Sequence, residues 1–202
     1  TQLLFEVLVP AGQPLLVFGA GHVAQHLMPI LAPLDLNLHW VDPRPEWLAQ
    51  NTDARIRREA LEHPTDAIAD APRDAWVLII THNHQLDFDL VQAALKRKDL
   101  GYIGLIGSET KARRFQQRLA HRGWSDSDIH RVICPVGLSA VPGKQPAEVA
   151  VSIAAQLLNR LHARRPADAG KKTTGLNWKT GQALSSPNAD AAIETAHKGQ
   201  NA

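Results

Sequence analysis

The stretch "LLVFGAGHVAQHL", residues Leu15–Leu27, decides the fold prediction. Its apolar start, Leu15–Phe18, predicts a short buried strand, and the apolar residues of His22–Leu34 recur at helical spacing, with Pro29 predicting a kink or an early end. Between them the letters GAGHVA, residues 19–24, fit the G-x-G-x-x-A turn that brings a pyrophosphate to a helix N-terminus. The stretch therefore predicts a phosphate site, and the motif alone does not say which molecule carries the phosphate.

Four residues of this turn are candidate cofactor-binding residues. Gly19 permits the tight turn, Gly21 leaves room for the phosphate, and His22 and Val23 begin the helix whose N–H groups attract an anion. The helix dipole is expected to keep the His22 ring neutral, and the ring either contacts the cofactor or merely caps the helix. If no ligand binds, the glycines serve only a strand-to-helix turn.

Asp42 is the next candidate, because it ends the second predicted strand about 20 residues after the glycines. A carboxylate at that position is typical of one that binds a ribose hydroxyl. Arg44, two residues further on, either meets another phosphate or lies in solvent.

The remainder of the chain alternates predicted strands with predicted helices. Further strands are predicted at Leu36–Val41, Trp76–Ile80, Tyr102–Ile106 and Arg131–Cys134. Helices are predicted at about Asp87–Lys98, after Gly107-Ser108 and from Pro146. A short edge strand and a short helix are predicted within Asp53–Ala75. This alternation predicts an α/β fold: a doubly wound, mostly parallel Rossmann-type sheet, strand order 3-2-1-4-5-6, with helices on both faces. We expect residues 1–164 to form this domain and the polar residues 165–202 to be a mostly disordered tail.

A second polar cluster follows the third clear strand, in the letters THNHQLD at residues 81–87. Ligands of open α/β sheets lie beyond the carboxyl ends of the strands, where the strand order reverses. We therefore expect His82, His84 and Asp87 to converge with His22 above one crevice. A polar cofactor pocket is favoured over a metal site, and Asp87 serves equally well as a helix N-cap. Cys134 is expected to be a small buried residue rather than a nucleophile.

Composition excludes several classes of function. A net charge of +2 is too small to indicate a nucleic-acid partner, and no apolar run is long enough to span a membrane. The single cysteine allows no internal disulfide and favours a reducing, cytoplasmic compartment. Basic residues outnumber acids between Lys96 and Arg122, which indicates a solvated helix face or, less simply, a docking surface.

Five separated motifs together resemble the XdhC/CoxI family of molybdenum-cofactor chaperones. They are "LLVFGAGHVAQHL", "WVDPRPE", "VLIITHNHQLDFDLVQAAL", "GYIGLIGSETKARRFQQRL" and "VICPVGL…GKQPAEVAVSIAAQLL", and the resemblance extends from Leu3 to Leu158. It implies a protein that binds molybdenum cofactor, as the pyranopterin or its nucleotide form, and protects it during sulfuration. It also implies delivery to apo xanthine dehydrogenase, work with a cysteine desulfurase, and a homodimer. The loop Gly19–His22 would then take the phosphate end, with Asp42, His82 and His84 contacting the pterin or nucleotide.

Members of that family usually carry a further domain before the Rossmann part, whereas this sequence starts only about fourteen residues before the first predicted strand. Site residues that such a domain supplies are therefore expected to lie outside this sequence. The main alternative is an NAD(P)-dependent oxidoreductase that uses the same loop and Asp42. It needs a substrate domain and a proton donor, for which the remaining Rossmann elements leave little room. A third interpretation is an interaction module with a vestigial nucleotide site.

Overall fold

The computed structural model describes residues 12–164, together with two short strands in the later part of the chain. Residues 12–164 contain a six-stranded sheet whose neighbouring strands are all parallel. The strands are β1 (Gln13–Phe18), β2 (Leu36–Val41), β3 (Ile56–Glu59), β4 (Trp76–Ile79), β5 (Tyr102–Leu105) and β6 (Val132–Ile133). Their order, β3-β2-β1-β4-β5-β6, confirms the predicted Rossmann-type sheet.

Seven helices connect and cover these strands within residues 12–164. They are α1 (His22–Leu31), α2 (Pro45–Leu48), α3 (Thr65–Ala69), α4 (His84–Lys96), α5 (Glu109–His121), α6 (Asp126–Ile129) and α7 (Pro146–Arg164). The predicted edge strand and short helix between residues 53 and 75 are thus confirmed as β3 and α3. None of the helices in this part of the chain combines the length and apolar character that a membrane crossing requires.

Alternating side chains of the strands divide the core into two layers. Leu15 and Val17 of β1 pack with α1 and α7 on one face, whereas Leu16 and Phe18 pack with α3, α4 and α5 on the other. All four residues of β4, the strand between β1 and β5, are buried. Burial on both faces explains why the strands read as continuous apolar runs in the sequence.

One helix end agrees with its prediction and one helix start differs from it. Helix α1 ends at Leu31, two residues after Pro29, which confirms the expected early end. Helix α4 begins at His84, and the side chain of Asn83 caps it by accepting hydrogen bonds from the backbone N–H groups of the second and third helical residues. The prediction that Asp87 caps this helix is therefore wrong, since Asp87 lies inside the first turn and is fully buried.

Residues 165–202 form a second unit, separate from residues 1–164. Its described part is an antiparallel pair, β7 (Gly175–Leu176) and β8 (Ala183–Leu184). The predicted disordered tail otherwise lies outside the described residues.

Candidate functional site

Gly19 forms the turn between β1 and α1 in a conformation that only glycine adopts without strain. Its φ is 107°, and a Cβ atom at this position would lie 2.7 Å from the carbonyl oxygen of Ile80. Its N–H donates to the Val41 carbonyl at 2.9 Å, and its carbonyl accepts from Trp40 Nε1 at 2.9 Å. The turn is thus pressed against the end of β4 and held by the end of β2.

Gly21 has a different role, because the space beside it is empty. Its backbone is extended (φ −70°, ψ −175°), and a Cβ atom there would meet nothing within 4 Å. No side chain from the described residues caps the N-terminus of α1, which begins at His22. The unfilled space and the uncapped helix start together suit an anion such as a phosphate.

His22 and Arg44 lie on either side of one aromatic ring. The exposed His22 ring makes an edge-on contact with Trp47, with ring centroids 5.7 Å apart, and the Arg44 guanidinium lies 5.0 Å from the same ring. Gln25 fixes this arrangement, since its side-chain amide donates to the carbonyls of Ala20 and Trp47 at 3.1 and 2.8 Å. An aromatic and cationic wall therefore flanks the glycine turn.

The Asp42 carboxylate is buried beside the turn and accepts four hydrogen bonds. Oδ2 accepts from the Ala20 N–H at 2.7 Å and from Arg44 Nη2 at 2.9 Å, while Oδ1 accepts from the Arg44 N–H at 2.9 Å and from Nε at 2.8 Å. Burial acts to raise the pKa of Asp42, but the bonds from Arg44 and Ala20 outweigh it and leave the pKa below its ordinary value. Four bonds occupy the lone-pair sites of a carboxylate, so a ribose hydroxyl reaches Asp42 only if Arg44 moves.

A cavity of about 180 Å³ lies between this carboxylate and the loop after β4. Gly19, Asp42 and Arg44 line one side of it, and Thr81 and His82 line the other. The predicted candidates Gly19, Asp42 and His82 are thus brought together.

His84 lines a different cavity, of about 590 Å³, at the ends of β5 and β6. The structure therefore does not bring His22, His82, His84 and Asp87 above one crevice: His22 contacts Trp47, the other two histidines line separate cavities, and Asp87 is buried. Histidine, cysteine and acidic side chains form no group of three suited to a metal ion within the described residues.

A buried ion pair that the sequence analysis missed lies at the ends of β4 and β5. Lys111 Nζ donates to Asp87 Oδ2 at 2.6 Å and to the Ile106 carbonyl at 2.8 Å, and Thr81 Oγ1 donates to Asp87 Oδ1 at 2.7 Å. Gly107 lets the lysine fold back, because a Cβ atom there would lie 2.8 Å from Lys111 Cδ. The sequence placed Lys111 in a basic stretch, and nothing local pairs it with a carboxylate 24 residues away.

Cys134 lies next to this ion pair and is half-buried directly after β6, so it is less buried than predicted. Burial raises the pKa of its thiol to about 11, although the nearby Lys111 ammonium acts in the opposite direction. The thiol is therefore protonated at neutral pH, which does not suit a nucleophile.

Comparison with known proteins identifies the family. A family model described as the XdhC Rossmann domain matches residues 15–157. The chain is 27% identical over 149 residues to the uncharacterized protein YqeB of Escherichia coli (strain K12), an alignment that covers 71% of this chain and 26% of YqeB. It is also similar to a crystal structure titled as a xanthine dehydrogenase from Bacillus halodurans, with a TM-score of 0.64 and 29% identity, covering 78% of this chain and 45% of the other. This chain thus spans less than half the length of either protein, and it belongs to the XdhC family through its Rossmann domain.

Proposed function

We propose that this chain is the cofactor-carrying part of an accessory protein that binds molybdenum cofactor and delivers it to apo xanthine dehydrogenase or a related molybdenum hydroxylase. Membership of the XdhC family and the likeness to a protein titled as a xanthine dehydrogenase support this role. The observation that carries it is the open, uncapped start of α1 at Gly21.

The phosphate end of the cofactor, or the pyrophosphate of its nucleotide form, suits this helix start. The first backbone N–H groups of α1, those of His22 and Val23 among them, would donate to the phosphate oxygens, and the positive end of the helix dipole would add to the attraction. Arg44 lies nearby with a partly exposed guanidinium and would add a positive charge. The molybdenum itself supplies redox chemistry in the enzyme that receives it, and this chain would hold it only as cargo.

The position of the site suits transfer of a cargo to a partner. The glycine turn lies at the carboxyl edge of the sheet, and His22, His82 and His84 are all exposed there. A partner can therefore approach the cargo without opening the core. Sulfuration by a cysteine desulfurase and docking to the apo enzyme would both take place at this edge.

Asp42 distinguishes this proposal from an NAD(P)-dependent oxidoreductase. A nicotinamide dinucleotide relies on the carboxylate at the end of β2 to bind its ribose hydroxyls. Here that carboxylate already accepts four hydrogen bonds. Binding of NADH would require Arg44 to leave Asp42, whereas a phosphate at α1 requires no such change.

The test is equilibrium binding of the 202-residue chain to molybdenum cofactor and to NADH, measured in parallel without oxygen. A Gly21→Val substitution fills the open space without backbone strain, because φ is −70°. We expect it to weaken cofactor binding at least about tenfold, since a side chain excludes the phosphate from the amides. Ala120→Val adds methyl groups on an exposed part of α5 and serves as the matched control.

Reconstitution of apo xanthine dehydrogenase provides the second readout. The wild-type chain and Ala120→Val should transfer the bound cofactor, and Gly21→Val should lose most of that transfer. Preferential binding of NADH, or cofactor binding that Gly21→Val leaves unchanged, would contradict the proposal.

A further inference from the structure

The larger cavity, which we call the Lys111 cavity, is a second compartment at the carboxyl edge of the sheet. It lies beyond β5 and β6 and is lined by His84, Ser108, Lys111 and the segment that follows Pro135. Its volume of about 590 Å³ lies within the roughly 300–1,000 Å³ that pockets for organic ligands occupy. The cavity beside the glycine turn, at about 180 Å³, is below that range and has room only for a small part of a ligand.

The polar floor of the Lys111 cavity provides one unused hydrogen-bond donor. An ammonium group has three N–H donors, and Lys111 Nζ uses two of them, on Asp87 and on the Ile106 carbonyl. No further oxygen or nitrogen acceptor for Nζ is found among the described residues, and the ammonium lies 5.5 Å from the centroid of the Phe115 ring. Because Asp87 neutralises the charge of Lys111, this floor is a hydrogen-bond donor for an uncharged oxygen more than an anion site.

Apolar side chains form part of the walls, together with the polar side chains of Glu109, Ser139 and Ser152, and α7 holds the segment after Pro135 in place. Ile106, Val136, Val141 and Val149 line the cavity. The Gln156 side chain donates to the Gly137 carbonyl and accepts from its N–H, both at 3.1 Å, and Ser152 Oγ donates to the Leu138 carbonyl at 3.0 Å. A cavity with apolar side chains, a braced backbone segment and the Lys111 ammonium at its base suits a flat ring that carries one oriented acceptor.

The two compartments lie on either side of one short segment. Residues 81–84 line the smaller cavity through Thr81, His82 and Asn83, and they line the Lys111 cavity through His84. A ligand that extends over this segment would therefore place one end at the glycine turn and the other over Lys111.

We propose that the Lys111 cavity binds the heteroaromatic ring end of the cofactor. That end is a pterin, and its ring carbonyl would accept a hydrogen bond from the remaining N–H of Lys111. This inference rests on the proposed function, in which the phosphate end lies at the N-terminus of α1. It assigns the ring to the β5–β6 side of the sheet and assigns specificity for the ring to residues that lie outside the glycine motif.

The experiment follows backbone amide resonances of the full chain by NMR during titration with two separate probes, neopterin and pyrophosphate. Neopterin carries the pterin ring without a phosphate, and pyrophosphate carries the charge without a ring. We expect neopterin to shift the amides of Gly107, Ser108 and Gly137, and pyrophosphate to shift those of Gly21 and His22.

A pair of matched substitutions tests the cavity without disturbing the buried ion pair. Val141→Trp fills the Lys111 cavity, and Val151→Trp places the same side chain on α7 at a residue that is 50% exposed. We expect Val141→Trp to weaken neopterin binding at least about tenfold and to leave pyrophosphate binding within about twofold, with Val151→Trp changing neither.

The outcomes separate this inference from the proposed function. If neopterin shifts only amides of the glycine turn, or if Val141→Trp leaves its binding unchanged, the Lys111 cavity is not the ring site although the chain still binds a pterin. If pyrophosphate shifts the glycine turn and neopterin shifts nothing, the inference is overturned and the phosphate site stands. If pyrophosphate leaves Gly21 and His22 unchanged while neopterin shifts the cavity amides, the ring site stands and the phosphate site fails.

Discussion

Two buried aspartates, Asp42 and Asp87, lie at the same carboxyl edge of the sheet but are neutralised in different ways. Asp42 is 2% exposed and pairs with Arg44, its neighbour two residues along the chain, whose side chain is 29% exposed. Asp87 is fully buried and pairs with Lys111, 24 residues away, whose side chain is 13% exposed.

The ion pair at Asp42 is therefore a local interaction, whereas the ion pair at Asp87 is a tertiary one. The pair at Asp42 joins two residues of one turn after β2, so it forms without any contribution from distant elements. The pair at Asp87 connects the first turn of α4 to α5 and, through the Ile106 carbonyl, to the end of β5, so it depends on the sheet being assembled. We expect the Asp42 pair to depend little on the rest of the fold and the Asp87 pair to act as a rigid floor.

The largest effect is expected from Lys111→Met, which leaves the Asp87 carboxylate buried without its cation. The free energy of unfolding, measured by urea denaturation at pH 7, should fall by about 3–5 kcal/mol. The matched substitution Arg44→Met should cost less, about 1–3 kcal/mol, because Asp42 keeps two backbone N–H donors. Equal losses at the two sites would remove the distinction between them.

A double substitution serves as the control for this experiment. Asp87→Leu combined with Lys111→Met removes both charges and should recover most of the stability lost in the single variant. If it does not, the loss in Lys111→Met comes from packing and not from an unpaired charge.

The next largest effect separates the two glycines beside Asp42. Gly19→Ala forces a side chain into a backbone with φ of 107° and against the Ile80 carbonyl, so stability should fall by about 2–4 kcal/mol. In Gly21→Ala the added methyl group would have no atom within 4 Å, so the free energy of unfolding should change by less than about 1 kcal/mol. Thermal and urea unfolding of the two variants measure both effects, and a large loss in Gly21→Ala would show that the open space is required for folding.

Asp42→Asn tests the local pair through its pH dependence. Because the pKa of Asp42 is lower in the folded chain than its ordinary value of 3.8, its stabilising effect is present above that value and is lost as the pH falls through the folded pKa. The variant should be less stable than wild type by about 2 kcal/mol at pH 7, through weakened hydrogen bonds to Arg44 and Ala20. Urea unfolding at pH 7 and near pH 3 should show this difference shrinking in acid, and a constant difference would contradict the assignment.

The last prediction concerns the reactivity of Cys134, which lies near the Asp87 pair, and not the stability of the chain. Cys134 is the single cysteine, and burial raises the pKa of its thiol to about 11. In the folded chain its alkylation by iodoacetamide at pH 8 should be at least about tenfold slower than in urea, because little thiolate is present. A rate near that of the unfolded chain would show that the packing around Cys134 opens readily.

Much of the architecture could be read from the sequence, because it rests on local patterns. The apolar runs at Leu15–Phe18 and Trp76–Ile80 predicted their strands, and the strand order followed from alternation and the handedness of parallel connections. The structure brings the candidates Gly19 and Asp42 to one cavity, since both belong to a motif with fixed spacing.

The failures all concern side-chain direction and long-range pairing. His82 and His84 are two residues apart, yet helix α4 begins at His84 and turns it toward a different cavity. Asp87 looked like a helix cap because nothing in its neighbourhood showed that Lys111 would neutralise it. Asn83 caps the helix, whereas the sequence analysis interpreted the histidines on either side of it as ligands and started the helix at Asp87.

The sequence by itself determined the family, the strand order and the location of the glycine turn, because each follows from local motifs and from their succession along the chain. Only the tertiary structure decided that Asp42 is already saturated, that the two histidines are separated, and that Lys111 lies beneath a cavity with one donor unused. Those properties depend on which groups fill each other's hydrogen-bonding sites across the sheet, and that depends on the packing of elements distant in sequence.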